Sequence, residues 1–382
     1  MTRFNPSAVL AEMEKLRRPN GAFIAAPSTD YYAMWLRDMM WCAYAYWYLG
    51  EYEKCREGIW IVFDIFKQDK KRLVLRTTSP IDILEAAIHA KRHPDTFERI
   101  TPDDGWGHHQ LDVYGLFLHI VADLDFKNLR IIRDTDDLAV IQDLIFYLRS
   151  VEYWQKPDFG MWEECKIRHC SSIGSVVDGL SYIQRRRLAI IADPLIQFGY
   201  NAMHEIFPFE SRDICGRPHH NHDCDAAQLF LIWPFRVVIR PEDQDELLER
   251  VINGHTSENG DKHRLLQLQG FNRYWGDDYY RSTEGKFIGV SAMWPMFFFL
   301  VSIIYSQRHE SEKARHWFEG GCKHIVDGKV PEAYKNGVPN EHMPLAWGNA
   351  MAIIAFTKLP PDVQIDLSSD IRMEPKDDAE VK

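Results

Sequence analysis

The sequence predicts an all-α fold, a single-domain (α/α)6 barrel in which six helical hairpins form a toroid. About twelve segments show apolar residues spaced by three and four, the pattern of helices, whereas alternating strand patterns are scarce. Some of these segments are apolar on every side and must be buried, whereas others carry a charged face that contacts water. Their alternation favours an inner ring of helices wrapped by an outer ring. A superhelical solenoid is the alternative, but no fixed repeat period is present.

The predicted helices differ in how apolar they are. Met39–Leu49 and Met293–Tyr305 are nearly apolar all round, whereas residues 51–69 and 309–325 carry a charged face. Leu73–Thr78 is among the few strand-like segments. In chain order, the predicted helices are residues 7–17, 36–49, 51–69, 78–92, 110–124, 135–154, 171–184, 186–205, 223–237, 242–252, 288–307, 309–325 and 344–357.

The composition is that of a globular protein with a large core. The chain has 382 residues, of which 46% are hydrophobic and 26% charged. No Pro/Gly/Ser-rich linker divides it, so we expect one domain over residues 1–366 and a polar, disordered tail over residues 367–382. The uncharged run Phe287–Tyr305 is long enough to raise the question of a membrane span. Pro295 interrupts this run, so we expect a buried helix there and no membrane partner.

The charge balance argues against a nucleic-acid partner. The net charge is −11, from 45 Lys and Arg against 56 Asp and Glu, and no dense basic patch is present. The longest basic run, Gln184–Leu188, is better explained as a helix start. The N-terminus lacks the basic end and apolar run of a secretory signal. Seven scattered cysteines fit free thiols in a reducing compartment, so we expect a cytoplasmic protein and leave its oligomeric state open.

Aromatic residues beside carboxylates favour a carbohydrate site. The chain has 12 Trp, 16 Tyr and 21 Phe, and such residues line sugar pockets as well as cores. Trp162, Glu163 and Glu164 follow a Gly-Met turn. A carboxyl group held against the Trp162 indole is desolvated, which raises its pKa and keeps it protonated as a general acid requires. The alternative that these residues leave open is a solvated pair of acids at a helix end.

A second candidate carboxylate lies near the other end of the chain. Glu332 follows a proline and leads through a loop to Pro344 and Trp347, where a helix is predicted to begin. A Glu in such a loop can face a pocket and hold a water molecule. Glu341 and His342 are competitors for the same role in this loop.

Polar and aromatic residues crowd together before a very apolar helix. Tyr31, Trp35, Arg37 and Asp38 are the residues concerned. Burial of Arg37 is costly unless the guanidinium is paired. A buried Arg–Asp pair suits the recognition of sugar hydroxyl groups, because Asp accepts their hydrogen bonds and Arg donates to them. A similar group before another predicted helix comprises Trp106, Gln110 and Asp112.

Several candidate residues share one kind of position, in or next to connections between helices. In a helical barrel these connections gather at one end of the toroid and form the floor of a pocket. The residues are Trp106, Glu163, Asp225, Arg273 and Glu332.

One cluster contains residue types that bind metals at close spacing. Its members are Cys215, His219, His220, His222 and Cys224. Cys165, His169 and Cys170 lie in another segment of similar composition. No C-x2-C pair occurs in either segment, so we expect a polar loop at the rim of the pocket, with neither a metal nor a cofactor.

Seven segments together resemble glycoside hydrolase family 15, the glucoamylases, and the related domain of the phosphorylase kinase α and β subunits. "DYYAMWLRD" resembles the family's segment ending W-x-R-D, "WGHHQLDVYG" its W-G-x-x-Q-x-D segment and "DFGMWEE" the segment of the general acid. "RHCSSIG", "DCDAAQL" and "RYWGDDYY" resemble its S-S-x-G, D-A-x-L and R-Y-x-x-D segments. "VPEAY" and "MPLAWGNA" resemble the segment of the catalytic base. The resemblance extends from about residue 20 to residue 357.

The resemblance implies an inverting α-glucoside hydrolase. It implies that Glu163 is the general acid, that Glu332 is the general base and that Tyr31 lies near the attacking water. An inverting pair of carboxyl groups is separated by roughly 6.5–9.5 Å, which leaves room for this water. Arg37 and Asp38 would bind the non-reducing glucose. The full set of predicted substrate-binding residues is Tyr31, Trp35, Arg37, Asp38, Trp106, Gln110, Asp112, Trp162, Glu164, Asp225, Arg273 and Trp347.

The motifs "WGHHQLD" and "SSIG" are closer to the phosphorylase kinase branch. We expect neither the N-terminal β-sandwich of bacterial glucoamylases nor a starch-binding appendage. We therefore expect a substrate such as a short α-glucan or a glucose disaccharide. The alternative is a non-catalytic glucan-binding or regulatory domain. A different helical toroid, such as that of an unsaturated uronyl hydrolase, does not account for the ordered set of motifs.

Overall fold

The structure is a computed structural model. It describes residues 3–78, 88–100, 106–191, 194–216, 221–256, 260, 262–283 and 288–368. The predicted C-terminal tail lies outside the described residues from residue 369 onward. The chain divides into two compact units: the first comprises residues 1–58, 267–272 and 278–382, and the second comprises residues 59–266 and 273–277. The predicted single domain over residues 1–366 stays a prediction.

Helices dominate the described residues, and the strands are short. The α-helices are α1 (Pro6–Glu14), α2 (Leu36–Tyr48), α3 (Tyr52–Gln68), α4 (Lys70–Thr78), α5 (Leu111–Phe126), α6 (Thr135–Ser150), α7 (Cys170–Arg186), α8 (Leu195–Ile206), α9 (Pro241–Ile252), α10 (Met296–Gln307), α11 (Ser311–Cys322), α12 (Ala346–Lys358) and α13 (Pro361–Leu367). Two 3-10 helices span Thr29–Tyr31 and Ala226–Leu231. The strands are β1 (Met34–Trp35), β2 (Lys91–Arg92), β3 (Asn221–Asp225), β4 (His255–Thr256), β5 (Lys262–His263), β6 (Tyr274–Trp275), β7 (Tyr334–Lys335) and β8 (Val338–Pro339).

The first unit is built around α12. This helix packs against α2, α10 and α1. Residues 346–356 of α12 and 296–304 of α10 are buried on every side, as their uniformly apolar sequences predict. Asn349 is also buried on α12, where its amide donates to the carbonyl oxygens of Val9 and Gly328 and accepts from the backbone nitrogen of Val330. Because every polar atom of the Asn349 amide is satisfied, this residue ties α1 and the segment before Glu332 to the core.

A tight hairpin in the first unit follows Glu332. Strands β7 and β8 are antiparallel, with Tyr334 opposite Pro339. Asn336 and Gly337 connect them, and both have positive φ, of 54° and 82°. An Asn-Gly pair is the preferred sequence for a two-residue turn of this kind, because both residues tolerate the left-handed region. The turn returns the chain so that Asn340 donates its backbone hydrogen bond to Ala333 at 2.9 Å.

The second unit contains its own pair of deeply buried helices. Helix α5 packs against α7, and α7 packs against α8. Residues 111–122 of α5 and 170–180 of α7 are buried without interruption. Helix α5 begins directly after the segment that carries Trp106 and Gln110, and α7 begins a few residues after Glu164. The two buried helices therefore anchor the ends of these segments.

Four predicted elements differ from the structure. Leu73–Thr78, predicted as strand-like, lies in α4, which packs against α6, because a short apolar run does not distinguish the two structures. The predicted helix 223–237 is instead strand β3 followed by a 3-10 helix. Pro234, which has no backbone N–H, excludes a longer helix there. The predicted helices 186–205 and 288–307 begin only at Leu195 and Met296, each directly after a proline.

Part of another predicted helix also differs. Of residues 78–92, residues 79–87 lie outside the described residues, and Lys91–Arg92 form β2. Sequence patterns did not indicate α13. The expected buried helix within Phe287–Tyr305 is confirmed for α10. No helix in the described ranges combines the length and the apolar character needed to span a bilayer.

Candidate active site

The segment that carries Glu163 is a tight loop in the second unit. An antiparallel bridge between Asp158 and Ile167 closes it. Glu163 itself has a φ of +65°, which is uncommon for a residue with a side chain. Backbone outliers of this kind persist only where the surrounding structure holds them, and they concentrate at functional sites. The loop therefore presents the Glu163 side chain in a direction that an ordinary turn does not give.

The carboxylate of Asp158 anchors this loop through hydrogen bonds. This buried carboxylate accepts hydrogen bonds from the backbone nitrogens of Leu111 (2.9 Å) and Gly160 (3.1 Å) and from the Ser172 hydroxyl (2.8 Å). His169 Nδ1 lies 3.1 Å from its other oxygen. Asp158 thus connects the Glu163 loop to the first residues of α5 and α7.

Asp158 and His169 form a buried ion pair. Burial by itself would raise the pKa of Asp158, but the hydrogen bond and charge of His169 hold it below its usual value. Burial likewise would lower the pKa of His169, but the hydrogen bond and charge of Asp158 raise it to about 9. Both groups are therefore charged at neutral pH.

Trp106 contacts the carboxyl group of Glu163. Its indole N–H donates to Glu163 Oε2, and the Trp106 ring remains 39% exposed. Gly107 makes this contact feasible, because a Cβ atom there would lie 2.7 Å from the Glu163 carbonyl oxygen and 2.7 Å from Cγ of Phe159. The Gln110 amide donates to the Gly107 carbonyl at 2.7 Å and so fixes the same segment. Asp112 lies buried in the first turn of α5.

Glu164 lies in an ion-pair network. Arg273 donates to Glu164 at 2.8 Å and to Asp277 at 2.9 and 2.7 Å, and the Tyr274 hydroxyl donates to the other oxygen of Glu164. Burial alone would lower the pKa of Arg273, but the charges of Asp277 and Glu164 raise it well above its usual value. The Arg273 guanidinium lies over the Trp162 ring, 5.7 Å from its centroid.

Trp162 is held by Asp225 on its other side. The Trp162 indole N–H donates to Asp225 Oδ1 at 2.8 Å, and the backbone N–H of Ala227 donates to the same oxygen at 2.7 Å. His222 Nδ1 lies 2.9 Å from Asp225 Oδ2. Asp225 is completely buried, so in this structure its carboxylate supports Trp162 and His222.

Glu332, in the first unit, is a completely buried carboxylate with three hydrogen-bond donors. The Tyr31 hydroxyl donates at 2.5 Å, the Asn340 amide at 2.6 Å and the Tyr279 hydroxyl at 3.0 Å. Burial raises the pKa of Glu332 above its usual value, and these donors, together with His342, oppose the increase. Burial and the Glu332 charge raise the pKa of Tyr31 well above its usual value, so the hydroxyl keeps its proton.

Aromatic rings surround Tyr31. His342 stacks on it with ring centroids 3.9 Å apart, and Trp35 does so at 5.3 Å. His342 Nδ1 lies 2.6 Å from the Ser28 hydroxyl. Glu341, the other competitor in this loop, is exposed and accepts from Tyr280 at 2.8 Å. The two alternatives to Glu332 in this loop therefore differ: His342 packs on Tyr31, whereas Glu341 faces solvent.

Arg37 and Asp38 lie in the first turn of α2 and are both buried. The Arg37 guanidinium lies 5.8 Å from the Trp347 ring centroid. Trp347 in turn stacks in parallel on Trp41, with an interplanar angle of 10°. The predicted site residues of the first unit therefore lie at the N-terminal ends of α2 and α12 and in the segment before α12.

The structure groups the predicted site residues into two sets. The Glu163 cluster of the second unit comprises Trp106, Gln110, Asp112, Trp162, Glu163, Glu164, Asp225 and Arg273. The Glu332 cluster of the first unit comprises Tyr31, Trp35, Arg37, Asp38, Glu332 and Trp347. Four residues support these clusters although the sequence patterns did not indicate this role: Asp158, His169, Tyr279 and Asn340. The Asn-Gly turn was the available signal for Asn340.

The expectation of seven free cysteines is wrong for two of them. Cys165 and Cys215, separated by 50 residues, form a disulfide, and the other five cysteines are buried and form no disulfide. The sequence cluster of metal-binding residue types, in which no metal was expected, is also divided. Cys224 contacts the Arg250 carbonyl at 3.4 Å, and His219 and His220 lie outside the described residues. The cytoplasmic location stays a prediction.

Known proteins resemble this chain in sequence and in fold. Residues 7–184 match the sequence profile described as "Glycosyl hydrolases family 15". A "Probable phosphorylase b kinase regulatory subunit alpha" of Caenorhabditis elegans is 23% identical over 385 residues, covering 84% of this chain and 30% of that protein. The chain thus spans less than a third of this relative's length.

Solved structures confirm the fold class. A glycosidase in complex with glucose has a TM-score of 0.73 at 18% identity, covering 93% of this chain and 96% of that one. The glucoamylase from Saccharomycopsis fibuligera has a TM-score of 0.60 at 14% identity, covering 96% and 97%. The resemblance inferred from the seven segments is therefore confirmed, and the fold is the all-α (α/α)6 barrel. The matched profile and fold are those of glycosidases.

Proposed function

We propose that the protein is an inverting, exo-acting α-glucoside hydrolase that releases β-glucose from the non-reducing end of short α-glucans or glucose disaccharides. Glu163 is the general acid and Glu332 the general base. The contrast between their environments carries the proposal: Glu163 is half-buried with the Trp106 indole as a donor, whereas Glu332 is completely buried with three donors. Different environments allow two carboxyl groups to take different roles in one reaction.

Glu332 is suited to accept a proton from water. A carboxylate offers about four acceptor positions, and Tyr31, Tyr279 and Asn340 occupy three of them. One position remains for a hydrogen of the attacking water. The upward shift of the Glu332 pKa makes its carboxylate a stronger base than a solvated Glu. The Tyr31 hydroxyl then lies at the edge of the base where this water binds.

Glu163 is suited to donate a proton to the departing oxygen. In the proposed step this proton moves to the glycosidic oxygen as the bond to C1 breaks. Water attacks C1 from the opposite face and loses a proton to Glu332, so the product is β-glucose. Afterwards Glu163 takes a proton from solvent and Glu332 releases one. The Trp106 indole N–H orients the Glu163 carboxyl group for this transfer.

The remaining predicted site residues divide into two roles in this proposal. Those that contact the sugar are Tyr31, Trp35, Arg37, Asp38, Trp106, Glu164 and Trp347. Those that position these groups are Gln110, Asp112, Trp162, Asp225 and Arg273. Gln110 and Asp225 are placed in the second group because the Gln110 amide holds Gly107 and the Asp225 carboxylate holds Trp162.

A substrate panel with matched variants tests the proposal. Purified protein is incubated with maltose, isomaltose, trehalose, nigerose, kojibiose, dextrin and starch, and NMR follows the anomer that is released first. We expect β-glucose from at least one short substrate. Glu163→Gln and Glu332→Gln should each lower kcat by roughly 10²–10⁴-fold, the usual contribution of general acid–base catalysis. Glu341→Gln is the control, because this exposed carboxylate lies in the same loop as Glu332 and should leave kcat unchanged.

The leaving group distinguishes the acid from the base. An aryl α-glucoside with an acidic phenol needs little protonation, so its hydrolysis should largely survive Glu163→Gln and be lost in Glu332→Gln. Equal losses in both variants would contradict the assignment of the two roles.

The second candidate function is a non-catalytic glucan-binding regulatory domain. The similarity to a phosphorylase b kinase regulatory subunit favours it. In that case no substrate of the panel would release glucose, while calorimetry would detect glucan binding. Release of β-glucose that depends on Glu163 and Glu332 would exclude it.

A further inference from the structure

His222 lies beside the Cys165–Cys215 disulfide in the second unit. The two sulfur atoms and one ring nitrogen of His222 lie within 4.8 Å of one another. All three side chains are buried, with exposed fractions of 4% for Cys165, 8% for Cys215 and 5% for His222. Sulfur and imidazole nitrogen are the ligands that zinc and other thiophilic cations prefer.

The two ring nitrogens of His222 differ in their partners. Nδ1 lies 2.9 Å from Asp225 Oδ2, and because a carboxylate only accepts hydrogen bonds, Nδ1 carries the proton. In the neutral ring Nε2 then keeps a lone pair. Nε2 is buried and has no hydrogen-bond partner among the described parts of the chain. A buried polar atom of this kind calls for a partner, and a bound ion is one group that supplies it.

Asp225 fixes the direction of this lone pair. Its other oxygen accepts hydrogen bonds from Trp162 and Ala227, at 2.8 and 2.7 Å, so the carboxylate cannot rotate freely. A histidine that binds a metal through one nitrogen nearly always donates its other N–H to a carboxylate or carbonyl oxygen. His222 donates to Asp225 in the same way as such a metal-binding histidine donates to its carboxylate.

We propose that Cys165, Cys215 and His222 bind a thiophilic divalent cation of the zinc class when the disulfide is reduced. The same two sulfurs then have two alternative states, a disulfide and a pair of metal-bound thiolates. Three protein ligands leave one position of a tetrahedral zinc ion for a water molecule or an anion. This proposal does not depend on the proposed hydrolase activity.

The exchange requires a two-electron reductant, either a dithiol or a phosphine with water. A dithiol supplies two electrons and two protons as its own sulfurs form a disulfide; a phosphine supplies two electrons and becomes the phosphine oxide, while water supplies the oxygen and the two protons. In both cases Cys165 and Cys215 become thiols. The cation then replaces both thiol protons, and these two protons are released to solvent. Nε2 of His222 donates its lone pair without losing a proton. Zinc–sulfur and zinc–nitrogen bonds of roughly 2.3 and 2.0 Å place the ligand atoms within about 4 Å of one another. The three ligand atoms already lie within 4.8 Å of one another, and the two sulfurs move apart once the disulfide is reduced.

Metal stoichiometry tests the proposal. The full-length protein is reduced with a phosphine, freed of metal, and titrated with Zn²⁺ against a chromophoric chelator, and Co²⁺ serves as the spectroscopic probe. We expect one Zn²⁺ per reduced chain, none per oxidised chain, and thiolate-to-Co²⁺ charge-transfer absorption only after reduction. Absence of stoichiometric metal in the reduced protein would overturn the proposal.

Substitutions identify the ligands. Cys165→Ser and Cys215→Ser should each abolish the Co²⁺ charge-transfer band of a two-thiolate site. Asp225→Asn should weaken Zn²⁺ binding by about 10–100-fold, the usual effect of removing the group that orients a metal-bound histidine. Cys170→Ser is the matched control, because it removes another buried cysteine of the same unit. Equal Zn²⁺ affinity in Cys165→Ser and Cys170→Ser would contradict the assignment.

A second measurement does not depend on the variants folding. Reduced wild-type protein is treated with a maleimide with and without Zn²⁺, and mass spectrometry quantifies each cysteine peptide. Zn²⁺ should protect Cys165 and Cys215 together and leave labelling of Cys170 unchanged. Protection of neither, or of all three cysteines alike, would rule out this site.

Discussion

The Tyr31 hydroxyl donates a hydrogen bond of 2.5 Å to Glu332, although 301 positions separate the two residues. The bond connects the segment before α2 to the segment before α12. It gives the proposed base a donor and gives the attacking water a second polar group. It also makes the ionisation of Glu332 depend on a residue that can be changed without altering the carboxylate.

Tyr31→Phe should move the acidic limb of the pH–rate profile to higher pH. Glu332 must be ionised to act as a base, and the variant loses a donor that lowers its pKa. A hydrogen bond to a charged group contributes about 1.5–3 kcal/mol, which corresponds to about one or two pH units. Measurement of kcat from pH 3 to 9 checks this. Tyr280→Phe is the control, since Tyr280 donates to the exposed Glu341, and an equal shift in both variants would contradict the role of Tyr31.

Glu332→Gln should stabilise the protein progressively as pH rises. The folded-state pKa of Glu332 lies above its unfolded value of about 4.5, so its contribution to stability is fully present below that value. This contribution is lost as pH rises through the folded pKa. The melting temperature of the variant minus that of the wild type should therefore increase between pH 4.5 and pH 8.

Glu341→Gln provides a control of opposite sign. Hydrogen bonds from its own backbone and from Tyr280 lower the pKa of Glu341, so its contribution is present above about 4.5 and is lost as pH falls. The melting temperature of Glu341→Gln relative to the wild type should thus decrease, if it changes at all, as pH rises. If the relative melting temperatures of Glu332→Gln and Glu341→Gln changed in the same direction with pH, the opposite pKa shifts of Glu332 and Glu341 would be contradicted.

Asp158→Asn should destabilise the second unit strongly. Removal of one partner of a buried ion pair costs about 3–5 kcal/mol. Urea denaturation at pH 7 measures this loss. The variant should also lose a pH dependence: the contribution of His169 is present below its unfolded pKa of 6.5 and is lost as pH rises through about 9. In the wild type, therefore, stability should fall between pH 7 and pH 10 more steeply than in Asp158→Asn.

Asp213→Asn is the matched control for Asp158→Asn. Asp213 pairs with Arg168 at 3.1 Å, and both side chains are partly exposed. Such a pair contributes about 1 kcal/mol or less. Equal destabilisation in the two variants would show that Asp158 has no special role beneath the Glu163 loop.

Gly107→Ala should lower both stability and turnover. The added Cβ would lie 2.7 Å from the Glu163 carbonyl oxygen and must displace the loop that carries this proposed acid. Overpacking of this kind costs about 1–3 kcal/mol, which urea denaturation measures. Gly216→Ala is the control, because a Cβ there has no neighbour within 4 Å. Unchanged kcat in a destabilised Gly107→Ala variant would argue that Trp106 does not orient Glu163.

Seven short segments predicted the family resemblance and the fold class. They also supplied the candidate site residues, whose roles stay a prediction. This was feasible because chemistry constrains residue type and order along the chain. Apolar periodicity located most helices, because burial requires a continuous apolar face. Prolines at residues 194 and 295 marked where two helices begin, but the periodicity continued across them and gave starts that were too early.

The tertiary structure decided which groups meet. Asp158 and His169 flank the predicted site residues Trp162 to Glu164 in the sequence, yet only folding shows that they form one buried ion pair. The Cys165–Cys215 disulfide and the hydrogen bonds of Tyr279 and Tyr31 to Glu332 join positions 50 to 301 residues apart. The burial of His222 Nε2 also arises only on folding. The sequence alone determined which chemical groups are present. Their partners, and hence their protonation and orientation, depend on distances and dielectric environment that arise only when the chain is folded.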